Sequence, residues 1–185
     1  MTPNYRMATV LGLVVLSSLA ALGSVSFASA VENSQYTRTT LGGLHGVYVV
    51  VETLSPEIEG HGISTAVLKA DTELQLRMAG IKVLSKKEWV KTKGGPVCCV
   101  EVSIVSDVAL ADVLDFDLYA FEVTVEFNQD VVLVRDTATQ ALSRTWSTSY
   151  LGITNSIPRI RGKVKKMVQR FIDAYLAVNP EQAQE

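Results

Sequence analysis

The feature that most constrains the fold is a strict alternation of large apolar side chains with smaller or polar ones in residues 119–127 (YAFEVTVEF). Successive side chains of a β-strand point to opposite faces, so this pattern predicts a strand with one buried and one exposed face. Residues 97–105 alternate in the same way. Their predicted apolar face comprises Cys98, Val100, Val102 and Ile104, with Cys99 on the open side. Two such strands indicate a sheet that is covered on one face only.

Two other segments carry apolar side chains at helical spacing. The first ends at Gly80, whose position is typical of a left-handed cap, and the second begins at Ser156 and Pro158, a typical cap and first-turn pair. The predicted buried stripe of the first helix is Ile63, Val67, Ala70, Leu74 and Met78. The predicted stripe of the second is Ile157, Ile160, Val164, Met167, Phe171, Tyr175 and Val178, with a stop at Asn179 and Pro180.

Further segments complete the predicted sheet. Residues 47–51 (VYVVV) are apolar on both faces, which predicts an interior strand, and residues 81–84 predict a short second strand. Residues 128–130 interrupt the long alternation, and a bulge in one long strand is favoured over a turn. Residues 136–140 are predicted to turn the chain into a last strand. There Leu142, Trp146 and Tyr150 share one face, and Ser143, Thr145 and Ser147 share the other.

The predicted element order is β-α-β-β-β(-β)-α, without an internal repeat. It indicates an α/β (α+β) fold, a two-layer sandwich in which two helices pack on one face of a mixed four- to five-stranded sheet. The predicted organisation is a signal peptide in residues 1–30, a flexible leader in 31–40, a single α/β domain in 41–180 and a disordered tail in 181–185. The uncovered sheet face, rich in Ser, Thr and Glu, is expected to stay in water and to offer a surface for a partner.

The N-terminal segment has the three parts of a secretory signal peptide. Arg6 is the only charge in residues 1–30, a mainly apolar run follows, and Ala28 and Ala30 form a small-residue cleavage pattern before Val31. Cleavage would leave a periplasmic or secreted chain of 155 residues, and no later apolar run is long enough to span a bilayer. The alternative is a retained membrane anchor, because residues 7–30 carry no charge. No cysteine ends the apolar run, so a bacterial lipoprotein is not expected.

Charge and cysteine content exclude two further classes of protein. The formal net charge is −2 for the whole chain, with 17 basic and 19 acidic side chains, which argues against a dedicated nucleic-acid binder. Cys98 and Cys99 are the only cysteines, and they are adjacent. Neighbours in a strand point to opposite faces, so a disulfide between them would be strained. The chain is therefore not a disulfide-stabilised scaffold, although one thiol could pair with another chain in an oxidising compartment.

The second helix carries a row of basic side chains, which is the candidate binding site. Arg159, Lys163, Lys166 and Arg170 recur at spacings of four, three and four, so they line one helix face, with Arg161 and Lys165 flanking them. This face could engage an envelope protein or an anionic lipid headgroup. The alternative is an ordinary solvated helix face. Positive charge in the first half of a helix opposes the helix dipole, a small cost that asks for an explanation.

Other groups of polar residues carry weaker signals. Asp107, Asp112, Asp115 and Asp117 form an acidic cluster, but their spacing lacks the glycine and terminal glutamate of a calcium-binding loop. His45 and His61 lie in glycine-containing loops. They could form a thiol-dependent catalytic site with Cys99 only if the fold brought these residues together. The segment Gly42-Gly43-x-x-Gly46 precedes a strand, which is the wrong context for a phosphate-binding loop. No catalytic, metal or cofactor motif is present, so none of these is expected.

Three segments carry a resemblance to known proteins. Residues 46–52 (GVYVVVE), 73–84 (ELQLRMAGIKVL) and 171–180 (FIDAYLAVNP) resemble a set of small, exported bacterial proteins that have no assigned activity or catalytic residues. More loosely, the element order is similar to that of the lipopolysaccharide-assembly lipoprotein of the outer membrane and of the N-terminal domain of the Tol-system periplasmic protein. Lacking a lipidation cysteine, the chain departs from the former. The resemblance implies an α/β fold and a role in the cell envelope of a bacterium.

Three hypotheses of function follow. The first is an exported, periplasmic, non-enzymatic binding or assembly module of the cell envelope. The second is a small periplasmic hydrolase or thiol enzyme that uses His45, His61 or Cys99. The third is a membrane-tethered structural subunit whose N-terminal helix is not cleaved.

Mass spectrometry of the exported protein tests the signal-peptide prediction. We expect Val31 at the N-terminus, because Ala28 and Ala30 supply the small side chains that signal peptidase requires. An intact Met1 would favour the membrane-tethered subunit instead.

Overall fold

A computed structural model of the chain describes residues 33–59, 62–106 and 118–181. Ala28, Ala30 and Val31 of the predicted cleavage site lie outside these ranges, as do His61 and the four clustered aspartates. The described residues belong to one compact unit. No helix in the described ranges has both the length and the apolar composition needed to cross a membrane.

Four strands form one mixed sheet in the order β1-β2-β3-β4. The strands are β1 (Tyr48–Val51), β2 (Val97–Ser106), β3 (Tyr119–Leu133) and β4 (Asp136–Thr154). β1 runs parallel to β2, while β2–β3 and β3–β4 are antiparallel. Because sequential strands are neighbours, the long β3–β4 hairpin forms one half of the sheet and places β4 at its edge.

The described residues include five α-helices. They are α1 (Gln35–Arg38), α2 (Pro56–Glu59), α3 (Thr65–Met78), α4 (Lys86–Trp89) and α5 (Ile157–Leu176). The two long helices, α3 and α5, pack on the sheet and on each other. Val49 of β1, Val100 of β2, Val125 of β3 and Trp146 of β4 are fully buried in the core they cover. The predicted two-layer α/β sandwich with a mixed, four-stranded sheet is confirmed.

The predicted stripe of α5 is also confirmed. Every predicted member within the helix is buried: Ile157, Ile160, Val164, Met167, Phe171 and Tyr175. The C-terminal end is tied to the start of the domain, because Asn179 Nδ2 donates to the carbonyl oxygens of Leu41 and Tyr175 at 2.9 and 2.8 Å. Ser156 occupies the predicted cap position, but its hydroxyl makes no capping bond.

The predicted stripe of α3 lies on the wrong face of the helix, because the buried residues are one or two positions away from the predicted ones. Leu68, Thr72 and Leu76 are buried, whereas the predicted Leu74 and Met78 are 55% and 79% exposed. Val67 is 37% exposed and Ala70 is also exposed, so only Ile63, which precedes the helix, is buried as predicted. Burial of Thr72 is tolerated because its hydroxyl donates to the Leu68 carbonyl oxygen at 2.8 Å. The sequence did not predict the true stripe because Thr72, a polar residue, lies at its centre and interrupts the apolar spacing.

Residues 81–84 form a single parallel bridge, Val47 to Val83, instead of the predicted short strand. Val47 N donates to the Lys82 carbonyl oxygen, and Leu84 N donates to that of Val47. The pairing stops there because Ser85 begins α4 with a reciprocal capping box to Glu88. β1 is thus an edge strand with one bridged residue beside it, and not a fully interior strand.

The prediction of one long strand through residues 128–130 is confirmed, but the bulge lies in the partner strand β4. Phe127 pairs with Trp146 and Asn128 with Arg144, so Thr145 is the extra residue, and β3 continues as one long strand. The predicted turn at 136–140 is wrong, because the turn lies at Val134 and Arg135 and β4 already begins at Asp136. The bulge also shifts the alternation of β4. Leu142 is 64% exposed and does not share the buried face of Trp146.

The described part of the predicted leader is folded onto the domain. α1 begins with a reciprocal capping box between Ser34 and Thr37, and a 3₁₀ turn over Thr39–Leu41 follows. Leu41 is fully buried, and Trp146 Nε1 donates to Asn33 Oδ1 at 3.2 Å. Local capping and one buried side chain order this segment. Neither of them produces a regular spacing of apolar residues from which the order could be predicted.

We expect Trp146→Ala to lower the free energy of unfolding by about 3–5 kcal/mol, because Trp146 is fully buried against Phe171 at 5.4 Å between ring centroids. Leu142→Ala, on the exposed part of the same strand, should change it by less than about 0.5 kcal/mol. Urea unfolding followed by far-UV circular dichroism measures both. Equal losses would contradict the assignment of the two side chains to different faces.

Candidate functional site

The four predicted cations lie together on the flank of α5 that borders the edge strand β4. We call Arg159, Lys163, Lys166 and Arg170 the basic row. Lys163 Nζ lies 4.1 Å from the ring centroid of Tyr150, and Arg170 Nη1 lies 3.5 Å from Thr148 Oγ1. Because Tyr150 and Thr148 belong to β4, the row runs along this strand. Later residues of α5 meet earlier residues of β4, so the two elements are antiparallel.

Arg161 and Lys165 occupy the other flank of α5 and face α3. Arg161 donates from Nε and Nη2 to the two carboxylate oxygens of Asp71 at 2.6 and 2.9 Å, and Lys165 Nζ lies 3.7 Å from Asp71 Oδ2. The hydrogen bond from Arg161 holds the pKa of Asp71 below its usual value. The sequence placed these two cations beside the basic row. The structure instead separates them from it and assigns them to the α3–α5 contact.

No described acidic side chain compensates the positive charge of the basic row. Among the residues that the structure describes, no carboxylate lies within ion-pair distance of its four members. Its contacts are to neutral groups, namely a tyrosine ring, a threonine hydroxyl, the sulfur of Met167 and the side-chain oxygen of Asn155. The row is therefore a fixed line of positive charge that is open to an anionic ligand.

The backbone edge beside the row is also unpaired. β4 pairs with β3 on one side, and no described strand lies on the other. Within the described ranges, the backbone of residues 148–154 hydrogen-bonds to nothing beyond β3. The sequence could not reveal this feature, because an edge strand and a central strand with one covered face have the same alternation.

The uncovered face of the sheet carries a group of four glutamates, Glu52, Glu101, Glu122 and Glu126. Glu101 on β2 pairs with Thr124 of β3, so Glu122 and Glu126 are its diagonal neighbours. Burial, and then the charges of Glu52, Glu126 and Glu122, raise the pKa of Glu101 above its ordinary value. Arg144 forms an ion pair with Glu126. The predicted polar face is confirmed and is locally acidic.

Cys98 and Cys99 occupy opposite faces of β2 as predicted, and neither forms a disulfide. Cys98 is fully buried in the core, whereas Cys99 is half-buried on the face with the glutamates. Burial and the nearby charges of Glu52, Glu126 and Glu101 raise the pKa of Cys99 to about 11. The thiol is therefore protonated at neutral pH, while a nucleophilic cysteine needs a lowered pKa.

At the end of the uncovered face near the start of β3, the surface becomes apolar. Val105 pairs with Ala120, and Ala120 pairs with Ile153. Val105, Leu151 and Ile153 are 67%, 58% and 69% exposed. Two of these side chains, Leu151 and Ile153, belong to the stretch of β4 whose outer edge is unpaired.

His45 lies in an open cleft of about 470 Å³ near the C-terminal end of α5. The cleft is lined by Gly43, Leu44, His45, Val178, Asn179, Pro180 and Glu181, and Cys99 is not among these residues. No group of three or more His, Cys, Asp or Glu side chains suited to a metal ion occurs in the described ranges. Cys99 pairs with Val50 of β1 and, unlike His45, does not line this cleft.

We expect Glu101→Gln to raise the free energy of unfolding at pH 7 by up to about 1 kcal/mol, because it removes repulsion from neighbouring carboxylates. A carboxyl whose folded-state pKa is raised costs stability when ionised, and this cost is lost as the pH falls through the raised pKa towards the ordinary value of 4.5. Urea unfolding should therefore give equal stabilities for variant and wild type at pH 3. Glu181→Gln, which removes one exposed charge elsewhere, is the control, and an equal gain there would contradict the prediction.

Comparison with known proteins assigns no function to this site. No protein-family model matches the chain, and neither does any curated protein. The interpretation of function therefore depends on the side chains and the strand edge described above.

Proposed function

We propose that this protein is a non-enzymatic binding module, exported to the periplasm, that holds an anionic partner of the cell envelope on the basic row of α5. The observation that carries the proposal is the contrast between the two flanks of this helix. Arg161 and Lys165 both form ion pairs with Asp71, whereas the four cations of the basic row have no acidic partner in the described ranges.

Such a row is unfavourable in the isolated protein. Like charges three and four residues apart on a helix repel each other. Arg159 and Lys163 also lie in the first half of α5, where the helix dipole disfavours positive charge. An anionic partner would relieve both costs on binding. This is the physical reason to interpret the row as a binding surface.

Two members of the row, Lys163 and Arg170, are also held in place before binding. The ring of Tyr150 lies under the ammonium group of Lys163, and Arg170 contacts Thr148. These neutral contacts limit the rotamers of the two side chains without neutralising their charge. Less conformational entropy is then lost when a ligand binds.

Cys99 and His45 support a binding role more than catalysis. The raised pKa of Cys99 keeps its thiol protonated, and the cleft that contains His45 is not lined by Cys99. Export is supported by the charge and small-residue pattern of residues 1–30. An envelope protein and an anionic lipid headgroup are the two partner classes that this combination favours.

The test compares two fourfold variants that remove the same charge. The first is R159Q/K163Q/K166Q/R170Q. The matched control is K86Q/K87Q/K91Q/K93Q, which neutralises four exposed lysines in and after α4. The probes are a fluorescein-labelled polyglutamate peptide and vesicles that contain phosphatidylglycerol, measured by fluorescence anisotropy and by co-sedimentation at low and at physiological salt.

We expect the first variant to bind at least one probe about 10- to 100-fold more weakly than the wild type, since each exposed ion pair contributes up to about 1 kcal/mol. The control variant should bind within about threefold of the wild type. Equal weakening in both variants would mean that net charge, and not the basic row, determines binding. It would overturn the proposal.

A further inference from the structure

We propose that the partner is an extended acidic peptide segment that adds as a fifth strand to the outer edge of β4, along residues 148–154, with its acidic side chains against the basic row. The inference rests on the proposed function, because it uses the same four cations. It goes further by naming the partner's chemistry and conformation.

The outer edge of β4 is exposed along residues 148–154, with no described strand beside it. Natural proteins protect an exposed edge with charges, proline, a bulge or a covering segment, because its free N–H and C=O groups pair readily with another chain. Residues 148–154 (TSYLGIT) contain neither a charged residue nor a proline. The bulge at Thr145 lies before this stretch. The other edge of the sheet, by contrast, is bridged at Val47 by Val83.

The positive charge of the basic row lies along this edge. The basic row follows this edge, since Lys163 contacts Tyr150 and Arg170 contacts Thr148. The row spans twelve residues of α5, from Arg159 to Arg170, which corresponds to about 16 Å of helix. Alternate side chains of an added strand repeat every 6–7 Å or so. About three acidic side chains on one face of that strand would therefore fit along the row.

Apolar side chains lie on the other side of this edge, beside the opposite face of the added strand. Leu151 and Ile153 are exposed on the uncovered side of β4, next to Ala120 and Val105. Side chains of the added strand that point to this side would lie beside apolar surface. The favoured partner therefore alternates acidic and apolar residues, so that each face of its strand matches the surface next to it.

The same geometry disfavours a second copy of this chain as the occupant of the edge. Antiparallel pairing of two β4 edges would place both basic rows on the same face of a continuous sheet, where they would repel each other. Residues 148–154 also contain no carboxylate that could compensate the positive charge of the two basic rows. Charge complementarity thus selects a different, acidic segment as the partner.

The test uses the full exported chain and a labelled peptide of about seven residues, the length of the free edge, that alternates glutamate with valine. The first control peptide has the same composition in two blocks, with all glutamates before the valines. Two further peptides carry N-methyl groups on alternate residues, one on the odd positions and one on the even positions. N-methylation removes hydrogen-bond donors without a change of charge, and only one of the two patterns faces β4.

We expect the alternating peptide to bind at least about tenfold more tightly than the block peptide, because only the alternating one places all its charges on one face. One N-methylation pattern should abolish binding and the other should leave it nearly unchanged. Hydrogen exchange followed by NMR should show slower exchange of backbone amides within residues 148–154 on binding. The amides of β1 should not change.

The outcomes separate this inference from the proposed function. If alternating and block peptides bind equally and both need the basic row, the row is a binding site but strand addition is wrong. If R159Q/K163Q/K166Q/R170Q binds the alternating peptide like the wild type, the proposed function fails. Binding of phosphatidylglycerol vesicles without binding of any peptide would replace the peptide partner by a membrane. Concentration-dependent dimerisation in ultracentrifugation that protects the amides of residues 148–154 would assign the edge to a second copy.

Discussion

The packing of α5 against the β3–β4 hairpin is the contact on which the rest of the structure depends. Phe171 stands at its centre, with ring centroids 5.4 Å from Trp146, 6.0 Å from Phe127 and 6.2 Å from Tyr175. This contact fixes the rotation of α5 about its own axis. Once the aromatic stripe faces the sheet, helical geometry directs the two groups of cations to opposite flanks, one towards α3 and the other towards β4.

The one-sided cover of the sheet has a second consequence. Within the described ranges, helices pack on only one face, and the other face carries four glutamates near its centre and apolar side chains at one end. The strand order then leaves β4 at an edge beside the basic row. The molecule thus presents positive charge, an unpaired backbone edge and an apolar patch around one strand. Their adjacency, more than any single residue, is the basis of the proposed recognition of an acidic segment.

The fold class and the α5 stripe were predictable because burial there follows a strict period over many residues. Prediction was wrong in α3, because the stripe that is buried lies on another face of the helix from the predicted one and contains the polar residue Thr72. The helix packs through Leu68 and Leu76, and an internal hydrogen bond satisfies the Thr72 hydroxyl. In β4 the failure had another cause. The extra residue at Thr145 reverses the alternation, so Leu142 and Trp146, four residues apart, do not share a face.

The sequence by itself determined which strands are one-sided, how many long helices cover them, that the two thiols point to opposite faces, and that four cations share one side of α5. These properties follow from the local periods of strand and helix. Only the tertiary structure decided that Asp71 forms ion pairs with Arg161 and Lys165, that β4 is an edge strand, and that the basic row runs along it. These features depend on contacts between residues up to 90 positions apart, which no local pattern encodes.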